Sequence, residues 1–142
     1  MPFDLTKSGL QRFVDAQDSV YAEVCKELKA GKKTSHWMWF IFPQLKGLGR
    51  SALAMHFGIE SREEALAYWH HPVLGTRLKD CTQLVLAVDG RTAHEIFGFP
   101  DDLKFRSCMT LFARVALDEP AFQMALERYF DGQPDEGTLA LL

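Results

Sequence analysis

The chain has 142 residues, 47% hydrophobic and 25% charged, with a formal net charge of −3. These values are typical of one folded domain and exclude a disordered chain, and the negative charge disfavours a nucleic-acid partner. No apolar run approaches the ~20 residues that span a bilayer, and the first residues lack the basic and apolar regions of a signal peptide. We therefore expect a cytoplasmic protein with no membrane partner.

Two helices are predicted before the first basic connector. Apolar residues at helical spacing predict a short helix within Asp4–Gln17, with Ser8 near its start. The next repeat predicts a helix from Ser19 to about Ala30, and Gly31 stops it. Two lysines then lead into the following segment.

The segment Trp37–Phe42 is apolar at every position, so periodicity does not separate a buried strand from a buried helical turn. The absence of a second strand candidate nearby favours a helix. Pro43 ends the segment in either case, because its ring disfavours helical geometry at the preceding residue.

Caps and stops predict the remaining helices. Ser61 and Thr92 each precede a glutamate by three residues, which is the spacing of a capping box. The predicted segments are Ser51–Phe57, Ser61 to near His70, Leu74–Val88, Thr92 to Gly98, Asp102 to Ala116, Asp118 to Phe130 and Asp135–Leu142. The segment from Asp102 is apolar on most sides and is predicted to be the central buried helix. We predict one all-α domain over residues 1–142, an irregular bundle of about eight short helices.

The cysteines number three and lie far apart, each in an apolar helical context. Cys25, Cys81 and Cys108 are therefore predicted to be reduced packing residues rather than a disulfide frame or metal site.

Several blocks of the sequence stand out together. They are RFVDAQ at Arg12–Gln17, SHWMWFIFPQLKGLGRS at Ser35–Ser51, HPVLGTRL at His71–Leu78, IFGFPDDLKFRSCMTLF at Ile96–Phe112, and the ending DEGTLALL. This combination resembles the DUF1810 family over nearly the whole chain. The family consists of small, mainly helical bacterial proteins without an established activity, sometimes labelled calpastatin-like. The resemblance implies the fold class and supplies no catalytic residue.

Polar residues of these blocks provide a candidate site for a small anionic ligand. Free backbone amides at the start of the helix near Asp102, together with Lys104, would attract a phosphate or carboxylate. The Arg50 guanidinium would donate two parallel hydrogen bonds to the anion, and a tryptophan ring would stack on a planar part of the ligand. The predicted ligand-binding residues are Trp37, Trp39, Gln44, Arg50, Lys104 and Ser107.

His36 is the candidate acid or base of this site, with Asp102 as the carboxylate that orients it. The chain has no metal-ligand spacing, since His70 and His71 are adjacent and point in different directions on a helix. Gly47-Leu48-Gly49 lacks the further spacing of a dinucleotide loop. We expect no metal and no cofactor.

Each candidate also has a structural interpretation. Asp102 would serve as a helix cap, and the dense aromatic residues of Trp37–Phe42 as core. His36 would bond a backbone carbonyl, and Ser107 would bond back to a carbonyl one turn earlier.

Two classes of function remain open on the sequence. The first is a protein that binds, or hydrolyses without a metal, a nucleotide- or sugar-phosphate-like anion. The second is an interaction module whose Trp and Phe side chains form an exposed patch for a protein partner or a second copy. The oligomeric state is not fixed by the sequence.

Overall fold

A computed structural model of the protein describes residues 9–142 and shows a single all-α domain, as predicted. Ten helices occur in this range rather than about eight, and four of them are only four to six residues long. They are α1 (Gln11–Asp18), α2 (Tyr21–Lys29), α3 (Met38–Ile41), α4 (Ala52–Phe57), α5 (Arg62–His70), α6 (Leu74–Leu86), α7 (Ala93–Phe97), α8 (Asp101–Val115), α9 (Ala121–Phe130) and α10 (Glu136–Leu141).

Residues 9–142 contain no strand, and one isolated parallel bridge joins Leu45 and Ile59. The predicted start of the first helix, from Asp4 to Ser8, lies outside the described residues, and α1 begins at Gln11. Within the described range, none of the helices is both long and apolar enough to cross a membrane.

Helix α8 is the central buried helix, as its apolar pattern predicted. Phe105, Cys108, Met109 and Phe112 are fully buried along its length. It packs against α5, α7, α9 and α10, so most of its surface faces other helices. Complete burial of a large apolar side chain stabilises the fold by about 1.5–3 kcal/mol, and α8 contributes several of them.

Three helix starts are capped, and the caps at Ser61 and Thr92 were predicted. The hydroxyls of Ser51 and Ser61 each accept a hydrogen bond at 3.1 Å from the amide three residues later. Thr92 forms a complete capping box, because its amide also donates to the Glu95 carboxylate at 2.8 Å. The Glu64 carboxylate accepts instead from the amide of Glu60 at 2.9 Å, so the box at Ser61 is incomplete.

Two predicted helix caps, Asp102 and Asp118, are wrong. Helix α8 begins at Asp101 after Pro100, and the Asp102 side chain accepts from the next amide, Leu103, at 2.9 Å rather than capping the helix. The turn at Gly98 starts the helix earlier, since the carbonyl of Gly98 already accepts from the Asp102 amide at 2.9 Å.

Helix α9 similarly begins at Ala121 after Pro120, and Asp118 does not cap it. The Ala121 amide donates to the Glu119 carboxylate at 3.1 Å, so the neighbouring acidic residue satisfies the helix start.

The aromatic segment is helical, as favoured by the sequence. Helix α3 ends at Ile41, and Phe42 leaves helical geometry with φ −122° and ψ 72° before Pro43. Trp37, Phe40 and Phe42 are each 1% exposed. The Phe42 ring meets the ring of Phe105 edge-on at 5.0 Å, which fixes α3 against α8.

Arg12 ties the first helix to the chain around α4 and α5. Its Nε donates to the carbonyl of His56 at 2.8 Å, and its Nη2 donates to the carbonyl of Gly58 at 3.0 Å. The same Nη2 lies 3.1 Å from the Glu64 carboxylate, and Nη1 also donates to the carbonyl of Gly9. The guanidinium is 5% exposed, so its charge is buried with a full set of acceptors.

Candidate functional site

Three of the predicted ligand-binding residues meet in one surface pocket, here called the Trp39 pocket. Trp39 comes from α3, Gln44 from the turn after Pro43, and Lys104 from the first turns of α8. The remaining lining residues are apolar or glycine: Met38, Phe42, Ala54, Phe57 and Gly58. The pocket therefore combines an indole ring, an amide and an ammonium group over an apolar floor.

Main-chain contacts fix the turn that carries Gln44. The Gln44 carbonyl accepts from the Ile59 amide at 2.9 Å, and the Lys46 amide donates to the Ile59 carbonyl at 2.9 Å. These two bonds hold the turn against the residues that follow α4. Gln44 is thus placed by backbone rather than by its own side chain.

Charges near the pocket are arranged around Asp101. The Lys104 ammonium lies 5.1 Å from the centre of the Trp39 ring and 3.5 Å from Asp101 Oδ1. The other oxygen of Asp101 lies 2.8 Å from the Lys33 ammonium. One carboxylate therefore serves two ammonium groups, and Asp102 adds a second negative charge to the same helical turn. Lys104 is the one cation among the residues that line the pocket.

The pocket is narrow in this conformation. Its free space is about 10 Å³ for the centre of a water-sized sphere, which is room for about one water molecule. A larger ligand requires the Lys104 side chain to leave the Trp39 ring. That movement is open to Lys104, because its side chain is 24% exposed and its contact with Asp101 is long.

The predicted acid and its orienting carboxylate are not joined. His36 is exposed and makes no hydrogen bond to another residue within 9–142. The Asp102 carboxylate lies 3.5 Å from Nδ1 of His94 instead. Neither His36 nor Asp102 lines the Trp39 pocket, and Arg50 is exposed outside it.

Two further predicted residues have structural roles. The Trp37 indole is buried, and its Nε1 donates to the Glu27 carboxylate at 3.0 Å, so its ring is not available as a stacking face. The Ser107 hydroxyl is buried and donates to the Leu103 carbonyl at 3.1 Å.

The start of α8 does not offer the free amides that the sequence suggested. The amide of Asp102 donates to Gly98, and the amides of Leu103 and Lys104 donate to Pro100 at 3.0 and 3.2 Å. Two carboxylates also occupy this first turn. An anion would meet repulsion there rather than free donors.

Other polar residues of the family-like blocks hold the fold. His71 Nδ1 accepts from the amides of Val73 and Leu74 at 3.1 and 3.2 Å, and thereby caps α6. Asp135 caps α10 by accepting from the Thr138 amide at 2.9 Å. Arg77 reaches α1 through a 3.2 Å hydrogen bond to the side-chain oxygen of Gln17.

A second, larger cavity is lined in part by Lys32 and Lys33, the two lysines of the predicted connector after Gly31. This basic groove lies between the loop after α2 and the helix α7. Its lining residues are Lys32, Lys33, Arg91, His94, Glu95, Ile96, Phe97 and Gly98. The paired lysines after Gly31 were the only local signal for it, and their closeness to Arg91 depends on the tertiary fold.

Within 9–142, no group of three or more His, Cys, Asp or Glu side chains could hold a metal ion.

Comparison with known proteins gives a family and a structural relative. Residues 7–142 match the family described as "Protein of unknown function (DUF1810)". The crystal structure at 1.38 Å of the conserved hypothetical protein Rv1873 from Mycobacterium tuberculosis is similar, with 54% sequence identity and a TM-score of 0.92. The match covers 100% of this chain and 98% of that one. No curated protein matches the chain. The chain therefore belongs to the DUF1810 family.

Proposed function

We propose that the protein binds a small planar anion in the Trp39 pocket and carries out no reaction on it. One observation supports this most strongly: Trp39, Gln44 and Lys104 line one pocket although they come from two separate blocks of the chain. Both blocks are among those that resemble the DUF1810 family.

The three side chains are chemically complementary. The indole offers a face to a planar group, the amide both donates and accepts hydrogen bonds, and the ammonium pairs with a carboxylate or phosphate. The apolar floor of Met38 and Phe57 favours a ligand with an apolar body. Because the pocket has room for about one water molecule until the Lys104 side chain moves, a small aromatic carboxylate suits it better than a complete nucleotide.

The lining of the pocket supports binding without turnover. None of the eight residues around the pocket is a histidine, carboxylate, serine or cysteine. A hydrolase would need a group that moves a proton at the ligand. Lys104 is the one lining side chain able to do so, and the proposal assigns it to the anion, while His36 does not line this pocket. The burial of Trp37, Phe40 and Phe42 removes these three rings from an interaction patch, which favours the pocket over that alternative, although Phe99 is exposed.

A thermal-shift panel tests the proposal. The panel contains aromatic carboxylates, nucleoside monophosphates, ADP-ribose-like compounds and sugar phosphates. A compound at about a hundred times its dissociation constant adds about 2.7 kcal/mol, enough to raise the melting temperature by several degrees. We expect such a rise in wild type and its loss in Lys104→Gln.

Lys46→Gln is the matched control. Lys46 belongs to the same block as Gln44, and its exposed side chain pairs only with Glu60 among the described residues, at 3.1 Å. The proposal fails if no compound shifts the wild type, or if the two lysine variants respond alike.

A further inference from the structure

The basic groove has the size of a ligand site. Its free space is about 380 Å³ for the centre of a water-sized sphere. Small-molecule sites in proteins usually measure about 300–1,000 Å³. The groove is thus far roomier than the Trp39 pocket and is open to solvent.

Positive charge in the groove is only partly neutralised. Lys32 and Arg91 are exposed, and neither makes an ion pair within residues 9–142. Lys33 is paired with Asp101, and the one carboxylate that lines the groove, Glu95, already accepts from the Thr92 amide. The Thr92 amide and the nearby Arg91 lower the pKa of Glu95, so its carboxylate is charged and acts as a counter-charge in the groove. Lys32, Lys33 and Arg91 set against Glu95 and Asp101 leave an excess of one positive charge.

The loop that carries the lysines is held in place by its backbone. The Lys32 amide donates to the Glu27 carbonyl at 3.1 Å, and the Lys33 amide donates to the Ile96 carbonyl at 2.7 Å. Gly31 has φ +74°, and a Cβ there would lie 3.3 Å from Cδ of Arg91. The Arg91 stem thus packs closely over this glycine, so the groove is formed before a ligand arrives.

We propose that the basic groove binds a phosphate chain, such as a di- or triphosphate. An arginine fork pairs bidentately with phosphate oxygens, and lysine ammonium groups act as point charges for further oxygens. His94, which lines the groove and whose side chain is 67% exposed, adds a ring N–H donor. A single carboxylate would occupy only one of these cations, whereas a phosphate chain spans several. This proposal is independent of the Trp39 pocket.

Isothermal titration with inorganic triphosphate and, separately, with ATP tests it, at low ionic strength and without divalent metal. We expect saturable binding to wild type, and about tenfold weaker binding, equivalent to about 1.4 kcal/mol, in Arg91→Gln and in Lys32→Gln. Affinity should fall between low salt and about 0.15 M salt, because the contacts are solvent-exposed. Arg114→Gln is the matched control, since Arg114 is exposed at the far end of α8 and the charge change is the same.

The two probes distinguish the source of the phosphate chain. Equal affinity for triphosphate and ATP would mean that the groove recognises the phosphate chain alone. Tighter binding of ATP would mean that the groove also contacts the nucleoside. Unchanged triphosphate binding in Lys104→Gln separates this site from the Trp39 pocket. The absence of saturable binding, or an equal loss in Arg91→Gln and Arg114→Gln, overturns the proposal. Melting temperatures verify folding, and Lys32→Gln removes a side chain that has no ion-pair partner within 9–142.

Discussion

The carboxylate of Glu27 accepts a hydrogen bond from the indole nitrogen of Trp37 at 3.0 Å, and so connects the end of α2 to the start of α3. The same carboxylate accepts from the amides of Thr34 and Ser35 at 2.8 and 3.0 Å and from the Ser35 hydroxyl at 2.6 Å. The loop between the two helices is wrapped around one buried negative charge. This contact holds the loop that forms one wall of the basic groove.

Replacing that carboxylate should loosen the loop. Glu27→Gln keeps the size of the side chain but removes the charge and places an amide NH₂ group among donors. Hydrogen bonds to charged groups contribute about 1.5–3 kcal/mol each on net, so we expect the free energy of unfolding to fall by about 2–4 kcal/mol. Urea denaturation measures this change. Glu23→Gln, at an exposed position in the same helix, should cost less than about 0.5 kcal/mol, and equal effects of the two substitutions would contradict the role of Glu27.

Stability should also depend on acid pH through Glu27. Burial raises the pKa of this carboxyl, but hydrogen bonds from Ser35, Thr34 and Trp37 lower it more, to about 2 from the ordinary 4.5. A carboxyl with a lowered pKa in the folded state stabilises the protein above its unfolded pKa. That contribution is lost as the pH falls from about 4.5 toward about 2.

We therefore expect the free energy of unfolding of wild type to fall more steeply over this range than that of Glu27→Gln, by a total on the order of 3 kcal/mol. Denaturant titrations at a series of pH values provide the comparison. If the free energy of unfolding changes with pH in the same way for both proteins, the Glu27 carboxylate does not cause the pH dependence.

Gly75 allows α6 to approach the end of α5. A Cβ at Gly75 would lie 2.0 Å from the carbonyl oxygen of Trp69, which is far inside contact distance. Gly75→Ala should therefore cost about 3 kcal/mol or more, because backbone must move. Gly90 is the control: its φ is +71° but nothing lies within 4 Å of an added Cβ. Gly90→Ala should cost only about 1 kcal/mol of backbone strain, and a larger melting-temperature loss at Gly90 than at Gly75 would be inconsistent with the packing described.

The three thiols should differ in reactivity. Burial raises the pKa of the Cys81 thiol to about 12 and raises the pKa of the Cys108 thiol well above its usual value. Cys25 is half-buried. Because the thiolate is the reactive form, we expect a disulfide reagent to modify Cys25 rapidly in the folded protein and the other two only after unfolding. Rapid modification of all three in the native state, or persistent fast reaction in Cys25→Ser, would be the contrary result.

The sequence predicted the features that depend on a few neighbouring residues. The caps at Ser61 and Thr92 were recognised because cap and amide lie within one helical turn. The caps of α8 and α9 were assigned to the wrong residues. Helix α8 begins after Pro100 without a side-chain cap, because the turn at Gly98 starts it. At α9 the neighbouring Glu119, rather than Asp118, accepts from the Ala121 amide.

The composition of the site was only partly predictable for the same reason. Trp37 and Trp39 stand two positions apart, so they point to different sides of a helical turn. In a segment that is apolar throughout, the sequence does not indicate which indole faces the core. The contact between Gly31 and Arg91 joins distant parts of the chain, and periodicity carries no information about such a contact.

The most direct measurement is the side-chain indole signal of each tryptophan in a nitrogen-15 NMR spectrum during ligand titration. The probe is the panel compound that gives the largest thermal shift, and Trp39→Phe identifies the Trp39 signal. We predict a saturable shift of the Trp39 signal that is absent in Lys104→Gln. The signals of Trp37, bonded to Glu27, and of Trp69, packed edge-on against Phe122 at 5.3 Å, should stay in place. Binding that leaves the Trp39 signal unchanged, or shifts all three alike, would contradict a ligand site in the Trp39 pocket.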